Sequence, residues 1–480
     1  MKTKFIDLHV HPAMKPLGKS FNSNPGLNHP KKNRTNSIWF QDPPTLSDKI
    51  FNILLSLTKF RQSDFTSLAK GGAHIVFVSL CGLEKGFVMK KDKTGLLRDL
   101  PANFVAGIGK KRIDYIQKMT DYFTDLQQEY DFYNQLNGTV FRIKKQNYRY
   151  KIISSFNEIK EETDKRLKTI YVILTIEGTH VFNAGLKLMD KNVDAAEVMA
   201  NIDNVKRWKH RLFFIGLTHH FDNEMVGHAP SLSGIVTKLC DQTTGMYRKG
   251  FTKLGKKVLK KLLDNSNGQR VLIDMKHLST EARKELYSIL DTEYANETIP
   301  LIVSHAAVNG WPALPDGLEK REPGEGLFQQ KEINFYDDEL VRIAKSGGLF
   351  GIQFDERRLG SDKEIKKSRG SWSRRKMLFK QSKLVWNQIQ HIAEVLNSNG
   401  EYAWGIQCIG SDYDGIVNSL NGFWTAEEMP LFDSYLEKHA YNYLKSSEAK
   451  KLSAQNKVEA GELIEHFMHK NAYTFLEKNF

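Results

Sequence analysis

Cysteine is scarce: Cys81, Cys240 and Cys408 are the only three in 480 residues, and they stand far apart. That spacing excludes a disulfide framework and any CxxC metal clip, so a bound metal has to be held by histidine and carboxylate. No apolar run approaches the roughly 18 residues that span a bilayer, and the stretch from Met1 to His9 has no signal-peptide core. The expectation is a cytoplasmic protein with no membrane partner. No GxGxxG or other cofactor fingerprint occurs, nor does any internal repeat, low-complexity tract or obvious linker. Charge of one sign is in excess, at a net +14, yet lysine and arginine run along the whole chain among 56 acidic residues. No aromatic-interleaved motif accompanies the basic clusters, which reads as solvated faces and no nucleic-acid partner.

What is present is a recurring alternation of short β-rich runs with helical stretches, the order expected of βα units in a parallel sheet. Eight strand candidates can be read: Phe5–His9, His74–Leu80, Tyr171–Ile176, Phe213–Thr218, Val271–Met275, Leu301–Ser304, Leu349–Phe354 and Gly405–Ile409. Their apolar runs are nearly continuous, as in strands buried on both faces. Leu254, Val258 and Leu262 mark one intervening helix, and Ala282, Leu286 and Ile289 another behind a Ser279 N-cap. The expected fold is a (β/α)8 TIM barrel occupying residues 1–480 as one catalytic domain. The long stretches near 12–60, 85–170, 310–345 and 355–380 are then βα loops over the active face.

Metal-ligand residues fall repeatedly at the ends of these strands. The first ends in His9 and His11, which at i, i+2 point to one side and can share an ion. The third ends in Glu177, a carboxylate behind an apolar run that calls for a cation or a donor. His219 and His220 follow the fourth strand, His277 the fifth and His305 the sixth. Asp412 follows the eighth, where barrel enzymes place a proton-transfer group. His9, His11, His277 and His305 exceed what one catalytic ion with an open position requires, and Glu177 can bridge two. Iron and manganese stay open beside zinc. His29, His74, His180, His228, His391 and His439 lie outside the pattern and read as structural, His228 being the first among them to consider for contact.

The order of motifs resembles the membrane (renal) dipeptidase family of zinc peptidases, within the amidohydrolase superfamily. The resemblance is carried by residues 71–79, Ile176 to His180, Gly216 to His219, Ile273 to Ser279, Pro300 to His305 and Ile409 to Gly415. It implies two zinc ions held by His9, His11, Glu177, His277 and His305, with Glu177 bridging. It further implies that His219 polarises the scissile carbonyl, that Asp412 shuttles the proton, and that chains pair as homodimers. Two positions depart from the family: His11 stands where it usually has Asp, and Ile333 where it has the arginine expected to hold a dipeptide's terminal carboxylate. Arg321 and Arg357, on long loops, are candidates to replace that arginine. The expected function is hydrolysis of a dipeptide or related small amide by a metal-bridging hydroxide. A lactone, cyclic amide or phosphoester hydrolase, or a non-catalytic metal-binding barrel, are the alternatives.

Overall fold

A computed structural model describes residues 3–55, 58–89, 107–160, 164–232, 240–266, 269–315, 326–371, 373–415 and 418–480. Ten strands occur in it: β1 (Phe5–Val10), β2 (Ala73–Leu80), β3 (Phe141–Ile143), β4 (Gln146–Ile152), β5 (Leu167–Glu177), β6 (Leu212–Gly216), β7 (Leu272–Asp274), β8 (Ile302–Ala306), β9 (Leu349–Ile352) and β10 (Gln407–Ile409). Eight of them close on themselves in the order β2-β1-β10-β9-β8-β7-β6-β5, with β5 pairing back onto β2. Every one of these pairings is parallel, and closure runs from Ile75↔Tyr171 to Leu80↔Ile176. This is the (β/α)8 barrel expected, and each of its strands overlaps one of the eight sequence candidates. β1, β6, β7, β8, β9 and β10 are buried along their whole length, because the interior is filled by side chains and the outer face by helices.

β3 and β4 form an antiparallel hairpin inside the stretch read from sequence as loop. β4 also runs parallel to the first half of β5, from Asn147↔Leu167 to Ile152↔Val172. Since β2 takes the opposite edge of β5, β4 lies on the edge that β6 occupies further along. Aromatic rings fix the hairpin to the N-terminal segment: Trp39 stacks on Phe141 with centroids 4.7 Å apart, and Phe65 on Tyr150 at 4.3 Å.

The helices behave as their sequences require. Ser279 caps the helix Thr280–Glu293 by accepting from the Ala282 amide at 3.0 Å. Thr252 does the same for Lys253–Leu263 through the Gly255 amide. Arg374–Ser398 stops at Asn399-Gly400, where Gly400 takes a φ of 78°. Among the described residues no helix is long and apolar enough to cross a membrane. All three cysteines are buried.

Candidate metal centre

The C-terminal ends of the barrel strands bring every sequence-named site residue to one place. Glu177, the last residue of β5, stands at its centre and is buried. Its Oε1 faces His277 Nε2 at 3.1 Å and His305 Nε2 at 3.5 Å. Its Oε2 faces His9 Nε2 at 3.5 Å, His11 Nε2 at 3.4 Å and His219 Nε2 at 3.6 Å. The two oxygens thus look at two separate imidazole sets. Asp412 closes the ring, with Oδ1 3.6 Å from His11 Nε2 and 4.0 Å from His9 Nε2, and Oδ2 3.9 Å from His305 Nε2.

A second tier explains why the rings present Nε2. Asp274 accepts from the Ser304 amide, and the Ser304 hydroxyl lies 3.1 Å from His9 Nδ1 and 2.8 Å from His305 Nδ1. His11 Nδ1 meets the Ser79 carbonyl at 3.0 Å. A carbonyl only accepts, so a neutral His11 carries its proton at Nδ1 and offers a lone pair at Nε2, 3.0 Å from His9 Nε2. Asp7 ties the two neighbouring strand ends together by accepting from the His9 and Ser411 amides. His277 and Asp412 hold φ values of 68° and 60°, a left-handed conformation uncommon for non-glycine residues.

This donor set fits a divalent metal. Imidazole nitrogens and carboxylate oxygens converge within 4.8 Å in overlapping groups: His9, His11 and Asp412; Glu177, His277 and His305; His219, His220 and His277. Such a cluster of lone pairs and negative charge, sealed from water, is unfavourable without a cation among its members. The protonation pattern agrees. Burial holds His9 down at about 4 and His277 at about 3, and pushes His305 well below the ordinary imidazole range. Burial opposes charge on His11 too, but hydrogen bonding and the charges of Glu177 and Asp412 lift it to about 9. Burial would raise Glu177, yet the His219 and His9 imidazoles keep it well below the usual carboxylate range. Asp412 is pushed up to about 7 by burial and by Glu177.

The family model for membrane dipeptidase, peptidase family M19, matches residues 115–473. This chain belongs to that family. It is a metal-dependent dipeptidase-like hydrolase. Dipeptidase AC, a metallopeptidase of family M19, superposes on the whole chain with a TM-score of 0.52 and 14% identity, covering 100% of this chain and 99% of its own. A metallopeptidase from Rhodobacter sphaeroides, solved with a phosphinate mimic of the dipeptide L-Ala-D-Ala, gives a TM-score of 0.49 at 13% identity, with both chains covered completely. No curated protein matches the chain.

Further residues flank this cluster, some of them away from the strand ends. Glu84, in the loop after β2, places Oε2 2.8 Å from His219 Nδ1 and accepts from the His220 and Phe221 amides at 3.1 and 3.0 Å. Burial opposes its charge, but His219 holds it at about 2. His220 lies with its ring 4.8 Å from His277. Lys276, next to His277, is buried, and desolvation with the nearby Arg358 guanidinium draws it down to about 7. Gly178, at a φ of 91°, leaves room for the His180 ring, since a Cβ there would clash with its Nδ1 and lie 3.1 Å from the Cβ of His219. His180, read as structural, bonds Gly82 O through Nε2 at 2.6 Å with its ring 6.4 Å from His219. His228 Nε2 meets Gln242 O at 2.8 Å. Ile333 is buried, Arg357 pairs with Asp355, and Arg321 lies outside the described residues.

Proposed function

We propose that this M19 chain is a binuclear zinc dipeptidase, its two ions held by His9, His11, Glu177, His277 and His305. The observation that carries the reading is the division of Glu177, with one oxygen toward His277 and His305 and the other toward His9 and His11. Imidazole and carboxylate donors suit zinc, while Cys81, whose sulfur lies within 4.8 Å of donor atoms of Glu177 and His219, is kept as the thiol by burial. Residues 1–480 act as one catalytic unit in this reading, which is supported by β1 supplying His9 and His11 although the matched span begins at 115.

When bound, the two ions supply Lewis acidity, acidifying a shared water and polarising the scissile carbonyl. The chain's own groups do the rest. His219, with Nδ1 anchored on Glu84, aims Nε2 into the cluster and donates a hydrogen bond to the carbonyl oxygen where negative charge develops. Asp412, 15% exposed at its side chain and pushed up to about 7, takes a proton from the attacking water at a carboxylate oxygen and passes it to the leaving amine. His11, in place of the family's aspartate, adds a neutral ligand and leaves the centre more positive.

Elemental analysis beside a hydrolysis screen of L- and D-containing dipeptides, with and without chelator, tests this. About two zinc per chain and chelator-sensitive cleavage are expected. Asp412→Asn should lower turnover roughly 100-fold or more while keeping both ions, and His305→Ala should lose about one ion. Fewer than one metal under every reconstitution would sink the binuclear centre, and full turnover in Asp412→Asn the proton transfer.

A further inference from the structure

Beside the metal cluster lie two cations that the chemistry above does not use. Lys276, between Met275 and His277 at the end of β7, is only 2% exposed, and its Nζ has no hydrogen-bond partner. It sits within electrostatic reach of Arg358 and of Asp412, Asp274 and Glu177. Arg358 follows β9, donates one N–H to the Ser231 carbonyl, and acts electrostatically on Asp412 and His220 as well as Lys276. The segment around Ile333 reaches the same spot: Asn334 Nδ2 donates to the Arg358 carbonyl at 2.9 Å and to Gln329 O at 2.8 Å. Ile333 itself is buried and uncharged, while the neighbouring Arg357 is committed to Asp355 through Nε at 2.9 Å.

A buried ammonium without a hydrogen bond, next to a second cation, is a costly arrangement that an arriving anion relieves. A guanidinium and an ammonium within electrostatic reach of one another, from the segments after β9 and β7, also match a carboxylate, one by a planar fork and the other as a point charge. We propose that Lys276 and Arg358 form the subsite that receives the substrate's terminal carboxylate, beside the metal cluster. This rests on the dipeptidase reading and assigns its specificity to residues of β7 and of the segment after β9. Ile333 then needs no charge, because the segment that carries it supports Arg358 through Asn334.

Titration calorimetry of the zinc-reconstituted protein with a ketomethylene isostere of Ala-Ala, as free acid and as C-terminal amide, tests the subsite without turnover. The wild type should bind the acid at least roughly tenfold more tightly than the amide. Lys276→Met and Arg358→Met should each remove most of that preference and leave affinity for the amide within about twofold, with Arg358→Lys retaining part of it. Lys276→Met should melt no lower than the wild type, since a buried unpartnered charge is removed, whereas a purely structural lysine would leave a less stable protein. Equal affinity of the wild type for acid and amide, no binding of the acid, or full preference in both methionine variants would overturn the subsite. Absence of dipeptide cleavage by the metal-loaded wild type would instead overturn the dipeptidase reading, whatever the calorimetry shows.

Discussion

In the mechanism proposed above, the charge of Glu84 is what equips His219 to donate to the carbonyl. The carboxylate sits 2.8 Å from Nδ1, both groups are buried, and the charges of Glu177 and Glu84 outweigh desolvation to raise the imidazole above its ordinary range. Glu84→Gln keeps the size of the side chain but removes that charge, and its amide group would face both His219 Nδ1 and the His220 amide. Turnover should fall roughly 10- to 100-fold, with KM and metal content nearly unchanged, because the loss is confined to charge developing at the carbonyl. Steady-state kinetics with metal analysis checks this, and unaltered kcat would remove Glu84 from the mechanism. Strand-end position made the metal-type residues legible, since each of His9, Glu177, His219, His277, His305 and Asp412 follows an apolar run. Glu84, Lys276 and Arg358 were not legible: Glu84 lies four residues beyond β2, and Lys276 and Arg358 look like ordinary loop cations until burial is known.

At the level of elements, the loop after β10 locks the loop after β1. Asp414 accepts from Lys15 Nζ at 2.7 Å, from the Ser63 amide at 2.8 Å and from the Ser63 hydroxyl at 2.7 Å, all of them buried. Lys15 also donates to Phe60 O at 2.8 Å, so a single ion pair ties the segment of His11 to residues 60–63 and to the Asp412 turn. Asp414→Asn preserves the left-handed backbone and part of the hydrogen bonding but strands the lysine charge in the interior. The cost should be about 3 kcal/mol in denaturant unfolding, and adding Lys15→Met should recover most of it. An undiminished midpoint in the single variant would show the pair to be dispensable. The same comparison explains what the sequence hid about elements. Continuous apolar runs announced all eight barrel strands, whereas β4 alternates, burying Tyr148, Tyr150 and Ile152 between half-exposed polar residues. Asn147, Arg149 and Lys151 fill the outward positions of that period-two pattern, and its buried face depends on pairing with β5 and on Phe65 and Trp39, which are distant in sequence.

For the molecule as a whole, acid should open the barrel from its N-terminal end, away from the metal cluster. Half-buried His74 stands just before β2's buried run, and its Nδ1 lies 2.8 Å from His469 Nε2 near the C-terminus of the chain, with both rings stacked on Tyr473 and Tyr171 edge-on to His74. Burial lowers His74 to about 3 and His469 to about 4, and the nearby Lys4 ammonium acts in the same direction on both. Each folded value lies below the unfolded imidazole value of about 6.5, so the unfolded chain binds more protons once the pH drops under that value. Stability is therefore complete above about 6.5 and is lost as the pH falls toward the folded values, by at most about 1.4 kcal/mol per pH unit for each histidine. His74→Phe keeps the ring contacts and removes one titration, so its unfolding free energy should decline less steeply than that of the wild type between pH 6.5 and 4.5. Metal-loaded protein is the proper sample, because bound ions keep the cluster imidazoles deprotonated and leave His74 and His469 to set the difference. Parallel pH slopes for the two proteins would place the acid lability elsewhere.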